Sequence, residues 1–456
     1  MKTYIIVGVI LVVLVALLAT NKKLVETLKN IYKIEELRQR ILFTLGLLLI
    51  YRLGSFVTLP GVDHSILEQW TQNFANDGSS LMGLLNIFSG GAFSQASIFA
   101  LGVMPYITAS IIIQLLGIMV PYFRKMQREG ESGRRKMNQW TRFLTIAVLL
   151  LQAPAYLATQ VISSGAVVAN GDFLGIANGQ FIVPAVIILI AGTMFIMWLG
   201  EKITDKGIGN GISLIIMIGI VARLPQSFLQ ELMFQTTGGG SIIMLLVELV
   251  FLALVFMLAI AIVQAVRKIP VQYAKRIVGN KQYGGVRQYI PLKLNAANVM
   301  PIIFAQALMF IPGLIWGGQW LDITSFWYNF TLAVLVIAFT YFYTAIIVNP
   351  QMMADDMKRN GGFIPGVKPG KSTVTYIDNI MTRITLPGSI FLALITILPA
   401  IAMTLGITQG FAYFFGGTSL LIMVGVVLDT LKQIESHLLM RHYDGLMKTG
   451  RIQGRY

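Results

Sequence analysis

The chain has 456 residues, of which 55% are hydrophobic and 12% are charged, and it carries a formal net charge of +15. This balance excludes an ordinary soluble globular protein and predicts a polytopic membrane protein. Cysteine is absent, and His64, His437 and His442 lie outside the apolar stretches. Disulfides, thiolate metal sites and histidine-based intramembrane catalysis are therefore excluded. We expect neither an enzyme nor a bound cofactor or metal.

The chain begins with a short apolar segment, residues 1–21. Its apolar run, residues 4–18, is marginal for crossing a bilayer core of about 30 Å. The interpretations that stay open are an additional span, an uncleaved signal-like or interfacial segment, and a sequence that does not belong to the natural protein. Residues 22–40 predict an interfacial amphipathic helix, because apolar side chains recur there at helical spacing. These side chains are Leu24, Leu28, Ile31, Ile34 and Leu37.

Ten apolar stretches long enough to form membrane spans follow along the chain. They lie near residues 41–59, 97–119, 140–158, 181–199, 209–222, 242–266, 292–316, 326–348, 384–405 and 411–430. A closed β-barrel would instead show alternating segments of about ten residues. The long continuous runs therefore predict an all-α bundle of ten spans.

A polar, glycine-containing stretch lies between the first two spans. Residues 81–95, "LMGLLNIFSGGAFSQ", are too short to span and too apolar to lie comfortably in water. The Gly90–Gly91 pair and the neighbouring serines suit a re-entrant segment that lines a wet cavity inside the protein.

Basic residues gather in alternate loops. The loops 119–142, 267–293 and 349–383 and the tail 432–456 are rich in Lys and Arg, whereas 60–96, 159–180, 224–241, 317–325 and 406–410 contain none. The positive-inside rule then places the basic loops and the C-terminus in the cytoplasm. Two interpretations of this face stay open: orientation together with attraction to anionic lipid, or docking of an anionic partner such as ribosomal RNA or an acidic protein surface.

Ionisable residues are scarce inside the predicted spans. Arg52, Arg223, Asp429 and Lys432 lie at span ends, where their side chains are expected to reach the interface. Glu248 lies well inside a span, either as an interhelical hydrogen-bonding group or as a catalytic or coupling residue. A path through the protein would have to be lined by apolar and small polar side chains. A secondary transporter with broken helices is the alternative class, but it should carry charged or ion-coordinating groups at mid-depth.

Several motifs are specific enough to indicate a family. They include "NIFSGGAFSQASIFALGVMPYITASIIIQLL" at 86–116, "KGIGNGISLIIMIGIVARLP" at 206–225, "FIPGVKPGKSTVTYIDNIMTRITLPGS" at 363–389 and "YFFGGTSLLIMVGVVLDT" at 413–430. Together they closely resemble the SecY family of protein-conducting channels, and the similarity covers residues 22–456. The resemblance implies passage of unfolded secretory proteins across the bacterial plasma membrane and lateral release of hydrophobic segments into it.

The resemblance also implies an architecture and a closed pore. Two five-helix halves related as an inverted repeat would comprise residues 41–230 and 241–433, followed by a cytoplasmic tail at 434–456. The plug would be residues 84–94, namely Leu84, Leu85, Asn86, Ile87, Phe88, Ser89, Gly90, Gly91, Ala92, Phe93 and Ser94. The pore ring would be Val103, Ile107, Ile216, Ile303 and Ile422, which are all aliphatic.

The same resemblance implies a lateral gate and docking loops. The gate would contain Thr108, Ser110, Gln114, Gln152, Asn298 and Gln306, between spans two and three and spans seven and eight. The docking residues would be Arg267, Lys268, Lys275, Arg276, Lys281, Arg287, Lys358, Arg359, Lys368 and Lys371. Lys368 stands where many relatives have Arg, so it keeps the charge but loses the planar fork.

The implied partners supply the energy and bracing that the chain itself lacks. They are small SecE-type and SecG-type membrane subunits, a SecA-type motor ATPase, the ribosome through its RNA, signal sequences and nascent polypeptides, and membrane lipids. The chain has no GxxxxGK[ST] motif of its own, so nucleotide energy has to come from a partner.

Overall fold

The computed structural model describes residues 34–63, 65–67, 86, 89–167, 178–237, 242–273, 276–278, 281–283, 287–316 and 324–448. The predictions for residues 1–21 and for most of 22–40 lie outside these ranges. The described residues group into two compact units, one within Met1–Ile242 and Val426–Tyr456 and the other within Ile243–Gly425.

The first unit is built from helices and their connections. They are α1 (Glu35–Gly54), α2 (Met104–Met119), α3 (Pro121–Arg128), α4 (Glu131–Tyr156), α5 (Asn178–Lys206) and α6 (Gly211–Thr237). Pro105 and Pro121 lie in the first turns of α2 and α3, where the missing N–H has no helical partner to lose. Helix α4 continues as a π-helix, Leu157–Ile162, directly after Pro154 interrupts its hydrogen-bond pattern.

The second unit combines helices with a small sheet. Its elements are α7 (Ile242–Gln264), β1 (Val266–Tyr273), β2 (Arg276–Val278), β3 (Lys281–Tyr283), β4 (Arg287–Lys293), α8 (Met300–Trp316), α9 (Phe326–Ile347), α10 (Pro350–Arg359), β5 (Gly362–Phe363), α11 (Lys371–Thr404), α12 (Gln409–Ala412) and α13 (Gly417–Lys448), the last of which continues beyond Gly425 into the first unit. The strand order β4–β1–β5 is antiparallel throughout, with Ile269 opposite Ile290 and Gln272 opposite Phe363.

The helical membrane class predicted from the sequence is confirmed. In the described part of the chain, seven helices are long and apolar enough to cross a membrane, or eight if the two helices α2 and α3, bent by 100°, form one span. The remaining predicted spans, 41–59 and 292–316, overlap helices α1 and α8, which have 20 and 17 residues.

Several predicted span boundaries were wrong, and three of them bear on the site. Helix α2 begins at Met104, because residues 97–103 form turns and a bridge rather than the first turns of a span. Helix α11 begins at Lys371, well before the predicted residue 384. Helix α6 continues past Pro225 to Thr237, so Glu231 belongs to the helix and not to an outer loop. Glu231 is fully buried and accepts a hydrogen bond from Gln235 Nε2 at 2.9 Å, which allows a carboxylate on this apolar helix.

Each unit contains a buried apolar cluster that bears on function. In the first unit, Phe93 of the polar stretch and Ala96 just after it pack with Tyr156 of α4, Leu157 of the π-helix and Leu189 of α5. In the second unit, the sheet packs on α10 and on the first turns of α11 through Ile269, Val271, Leu292, Met357, Ile364, Ile377 and Met381. The first cluster fixes the polar stretch, and the second fixes the sheet.

Candidate functional site

Residues 89–103, called the irregular segment below, run as consecutive turns rather than as a helix. Backbone turn bonds, such as the Gln95 N–H to the Gly91 carbonyl at 3.2 Å, satisfy part of the segment, and side chains of the segment and of Asn86 add further bonds. Ser89 Oγ accepts from the Phe93 N–H at 3.0 Å, and Asn86 Oδ1 accepts from the Ser94 N–H at 3.3 Å. The polar residues are present because irregular backbone among apolar helices needs partners inside the protein.

The middle of the irregular segment is joined to the chain that follows α1. The Leu59 N–H donates to the Ala96 carbonyl at 2.8 Å, and the Ile98 N–H donates to the Val57 carbonyl at 2.9 Å. Ala96 has a φ of 44°, unusual for a residue other than glycine, and its side chain is fully buried. Non-local pairing therefore holds the backbone in a conformation that local preference disfavours.

The glycine pair allows close contact with helix α6. A Cβ on Gly90 would lie 2.8 Å from the Gly219 Cα, and a Cβ on Gly91 would lie 3.0 Å from Arg223 Nη2. Both glycines have positive φ, 65° and 97°. The positive φ and the close approach of α6 therefore both require glycine at position 90. The absence of a side chain at position 91 leaves room for the Arg223 guanidinium.

Two arginines bond to the irregular segment. Arg52, in the last turn of α1, donates from Nη1 to the Gly90 carbonyl at 2.8 Å. Arg223 of α6 donates from Nη2 to Ser94 Oγ at 3.3 Å. The expectation that these side chains reach outward to the interface was wrong for both, because the irregular segment offers them acceptors inside the protein.

Helix α4 supplies a third connection. Tyr156 Oη donates to the Phe93 carbonyl at 2.7 Å, and the two rings lie 4.8 Å apart. Both residues are buried. The sequence analysis missed Arg52, Arg223, Tyr156 and Gly219 as partners of this segment. The available signal was the occurrence of arginine at the ends of two apolar spans, without an acidic neighbour in the sequence.

Of the predicted plug, the structure describes Asn86 and residues 89–94, whereas Leu84, Leu85, Ile87 and Phe88 lie outside the described residues. Residues 89–92 are buried, Phe93 is buried as well, and Ser94 is half-buried. The described part is thus enclosed by the first unit.

The predicted ring residues occupy helices of both units. In the first unit, Val103 caps α2, Ile107 lies one turn further along the same helix, and Ile216 lies on α6. In the second unit, Ile303 lies on α8 and Ile422 on α13. The convergence of these five side chains stays a prediction.

The predicted gate residues differ in position and bonding. Thr108 Oγ1 donates to the Met104 carbonyl at 3.1 Å, and Gln114 Nε2 donates to Ser110 Oγ at 3.4 Å, so these polar groups are satisfied within α2. Gln152 is exposed on α4, and Gln306 is half-buried on α8. Asn298 lies before α8, with a φ of 52°, and not within a span as the sequence suggested.

The two predicted docking loops fold together. Strand β5 belongs to the loop 349–383, and it pairs with β1 of the loop 267–293. We call the sheet β4–β1–β5 the basic sheet. Its apolar face covers Ile377 and Met381 of α11. The sequence analysis treated the loops separately, since a two-residue strand leaves almost no pattern to read.

Most of the predicted docking residues lie on or beside this sheet. Arg267 and Lys268 are exposed on β1, Lys358 and Arg359 are exposed at the end of α10, and Lys368 and Lys371 are exposed at the start of α11. Arg276, Lys281 and Arg287 lie on β2, β3 and β4, and Lys275 lies outside the described residues. Exposed cations over a rigid apolar base form a surface that fits an anionic partner.

Among the described residues, no group of three or more His, Cys, Asp or Glu side chains could hold a metal ion. What the fold presents is an irregular polar segment enclosed by apolar helices, together with a basic sheet. These features define a multi-pass helical membrane protein with a non-spanning internal segment.

The comparison with families identifies the chain further. The sequence model of the SecY family matches residues 97–431. The protein translocase subunit SecY of Corynebacterium glutamicum is 42% identical over 445 residues, covering 91% of this chain and 98% of its own length. The same subunit of Mycobacterium tuberculosis strain H37Rv is 42% identical over 438 residues, covering 91% and 97%. The chain belongs to the SecY family, as its motifs predicted.

Solved structures agree in fold. The structure of a protein-conducting channel aligns with a TM-score of 0.57 at 17% identity, covering 87% of this chain and 91% of its own. Sec61 in the canine ribosome–channel complex aligns with a TM-score of 0.54 at 16% identity and the same coverage. A SecY protein whose plug domain is described as stabilising the closed channel aligns with a TM-score of 0.53 at 18% identity, again covering 87% and 91%. The SecY-type helical fold is thereby confirmed.

Proposed function

We propose that the chain is the central channel subunit through which unfolded secretory proteins cross the bacterial plasma membrane. The observation that carries the proposal is the irregular segment. It stands between two spans along the chain, yet it forms no span and is packed against α1, α4 and α6 of the first unit. These contacts are made by Gly90, Phe93 and Ser94, which lie within the proposed plug, residues 84–94, and a plug domain is described as stabilising the closed state in a related SecY protein.

The proposed constriction comprises Val103, Ile107, Ile216, Ile303 and Ile422. Branched aliphatic side chains can seal a narrow pore against ions by dewetting. They also offer no charge or hydrogen bond that would retain a passing polypeptide. A chain of almost any sequence could therefore slide through once the ring is forced open.

The proposed lateral gate would release hydrophobic segments into the lipid. Thr108 and Gln114 already bond within α2, so separating this helix from a neighbour would leave their polar groups satisfied. Hydrogen bonds between membrane helices average only about 0.6 kcal/mol each. A seam with these side chains is thus weak enough to part when a signal sequence partitions into the bilayer.

The basic sheet is the proposed docking surface in the cytoplasm. Its exposed cations complement the phosphates of ribosomal RNA and the acidic surface of a SecA-type motor. Sec61, a structural neighbour, was solved in a ribosome–channel complex. Small SecE-type and SecG-type subunits are the proposed membrane partners, and anionic lipids are proposed to contact the remaining basic residues.

A polar substitution in the proposed ring tests the function. Ile107→Asn should raise the resting ion conductance of the reconstituted channel, and it should allow export of a secretory protein with a defective signal sequence. Ile107→Leu is the matched control, because it keeps the side chain apolar. Equal conductance and equal export in the two variants would remove Ile107 from the pore. The transporter alternative has no supporting observation now that the chain is placed in the SecY family over most of its length.

A further inference from the structure

Two residues close to Arg52 in the chain, Ser55 and Phe56, contact its guanidinium in addition to Gly90. Arg52 Nη1 contacts Ser55 Oγ at 3.4 Å, and the guanidinium carbon lies 4.7 Å from the centroid of the Phe56 ring. Ser55 Oγ in turn donates to the Arg52 carbonyl at 2.7 Å. A hydroxyl and an aromatic face therefore hold the side chain in place, so little rotamer entropy is lost in the bond to Gly90.

Arg223 approaches the same stretch from another helix. Its Nη2 donates to Ser94 Oγ at 3.3 Å, and Gly91 leaves the space in which the guanidinium lies. Arg223 is one helical turn from Gly219, the residue that Gly90 touches. One face of α6 thus supplies both the close backbone contact and the donor.

The acceptors are neutral, which distinguishes these contacts from ion pairs. In the described part of the chain, neither Arg52 nor Arg223 forms a salt bridge, although other arginines do. A cation bonded to a carbonyl or a hydroxyl gains more than a neutral pair would, but it lacks the full attraction of a carboxylate. The contacts are strong enough to hold a segment and weak enough to be broken.

We propose that Arg52 and Arg223 are positioning residues that latch the plug of the closed channel, each through one charged donor and one neutral acceptor. This inference rests on the proposed plug function of residues 84–94. Breaking both bonds would remove the polar contact of Gly90 with α1 and that of Ser94 with α6. The latch is built within the first unit, from α1 and α6.

The first experiment measures resting leakage. The purified channel, with the subunits that accompany it, is placed in planar bilayers without any polypeptide substrate. Arg52→Gln and Arg223→Gln should each raise the open fraction about tenfold, because a hydrogen bond to a charged group is lost. Arg52→Lys, which keeps the charge and one donor, should restore part of the closure. Arg135→Gln, at an exposed site on α4, is the matched control and should leave the open fraction unchanged.

A second variant is expected to change the open fraction in the opposite direction, which misfolding would not do. Ser94→Asp would convert the neutral acceptor of Arg223 into a carboxylate, so it should lower the open fraction and tighten the closed state. Combined with Arg223→Gln, Ser94→Asp should lose this benefit, which a double-mutant cycle would measure as coupling. Additive effects in the cycle would overturn the pairing.

A labelling experiment reports on the plug itself. The natural chain has no cysteine, so Ala92→Cys introduces a single thiol at a fully buried position. A charged maleimide should label Ala92→Cys several-fold faster when Arg52→Gln or Arg223→Gln is also present. Equal labelling rates in all backgrounds would overturn the latch.

Deletion of residues 84–94 distinguishes a failure of the proposed latch from a failure of the proposed plug function. If the deletion leaks and both Gln variants stay closed, the latch is wrong while the plug function stands. If the deletion does not leak either, the proposed plug function and the latch both fail. Leakage in the deletion and in both Gln variants, with a silent Arg135→Gln, supports both.

Discussion

The irregular segment and the basic sheet are two non-helical regions that satisfy their backbones in different ways. The sheet pairs strand with strand, so β1 pairs with β4 along most of its length and with β5 at Gln272 and Tyr273. The irregular segment closes separate turns with its own backbone, such as the Gln95 N–H to the Gly91 carbonyl at 3.2 Å, and it adds bonds from side chains of α1, α4 and α6 and from its own serines. The sheet is held by continuous strand pairing, whereas the irregular segment combines isolated turn bonds with bonds from side chains of neighbouring helices.

This difference indicates which region can move. The basic sheet would keep its interstrand hydrogen bonds if it moved as a unit, but it would lose hydrophobic burial if it separated from α11. The irregular segment loses individual polar contacts when it moves, and water or a passing polypeptide can replace each of them. The two ways of satisfying backbone groups are thus consistent with the proposed roles of the basic sheet as a docking surface and of residues 84–94 as a displaceable plug.

The largest expected effect concerns the base of the basic sheet. Ile269→Ala would remove a side chain that is 2% exposed and packed on α10 and α11. Large-to-small changes at such sites cost about 2–5 kcal/mol. Limited proteolysis of the purified protein should then cut the loop 267–293 much faster. Val266→Ala, at an exposed position on the same strand, should leave the cleavage rate unchanged, and rapid cleavage of both variants would contradict the anchoring role.

A smaller effect is expected for the glycine contact of the irregular segment. Gly90→Ala would place a Cβ 2.8 Å from the Gly219 Cα at a φ of 65°, with a strain of about 1–3 kcal/mol. The reconstituted channel should leak at rest. Gly46→Ala, on α1 with no atom within 4 Å of the added Cβ, should leave the conductance as it is. A tight Gly90→Ala channel would show that the close contact with α6 is dispensable.

Removal of one hydrogen bond from a helix side chain should be milder still. Tyr156→Phe keeps the ring against Phe93 but leaves the Phe93 carbonyl without the Oη donor, which costs about 1–2 kcal/mol. The thermal unfolding midpoint of the detergent-solubilised protein should fall by a few degrees. The exposed Tyr122 offers the control substitution Tyr122→Phe. Equal midpoints for the two variants would mean that water replaces the lost donor.

The smallest effect is expected for an arginine that pairs with a carboxylate rather than with the irregular segment. Arg142 forms a two-pronged pair with Glu201, at 2.6 and 3.2 Å, but both side chains are partly exposed. Solvent screening limits such pairs to roughly 0–1 kcal/mol. Arg142→Gln should hardly change the unfolding midpoint or the resting conductance. If Arg142→Gln raised the resting conductance as much as Arg223→Gln is expected to, charge in general, rather than contact with the plug, would control closure.

Much of the fold could be predicted from the sequence. Long apolar runs predicted the spans, because burial of a helix in lipid depends on the length and hydropathy of the segment itself. The motif around Gly90 and Gly91 predicted a non-spanning segment for the same local reason. The boundaries of α2 and α6 were less accurate, since turns bonded by serine side chains and a helix that continues past Pro225 depend on partners elsewhere in the chain.

The sequence by itself determined the membrane class, the spans, the position of the polar stretch and the alternation of loops rich in Lys and Arg with loops that lack them. Each of these follows from the transfer of a residue between water and lipid, which is a property of the residue and its near neighbours. Only the tertiary structure decided that Arg52, Arg223 and Tyr156 meet one short segment, and that β5 joins β1. Those contacts link residues up to 129 positions apart, so they arise from packing that no local pattern records.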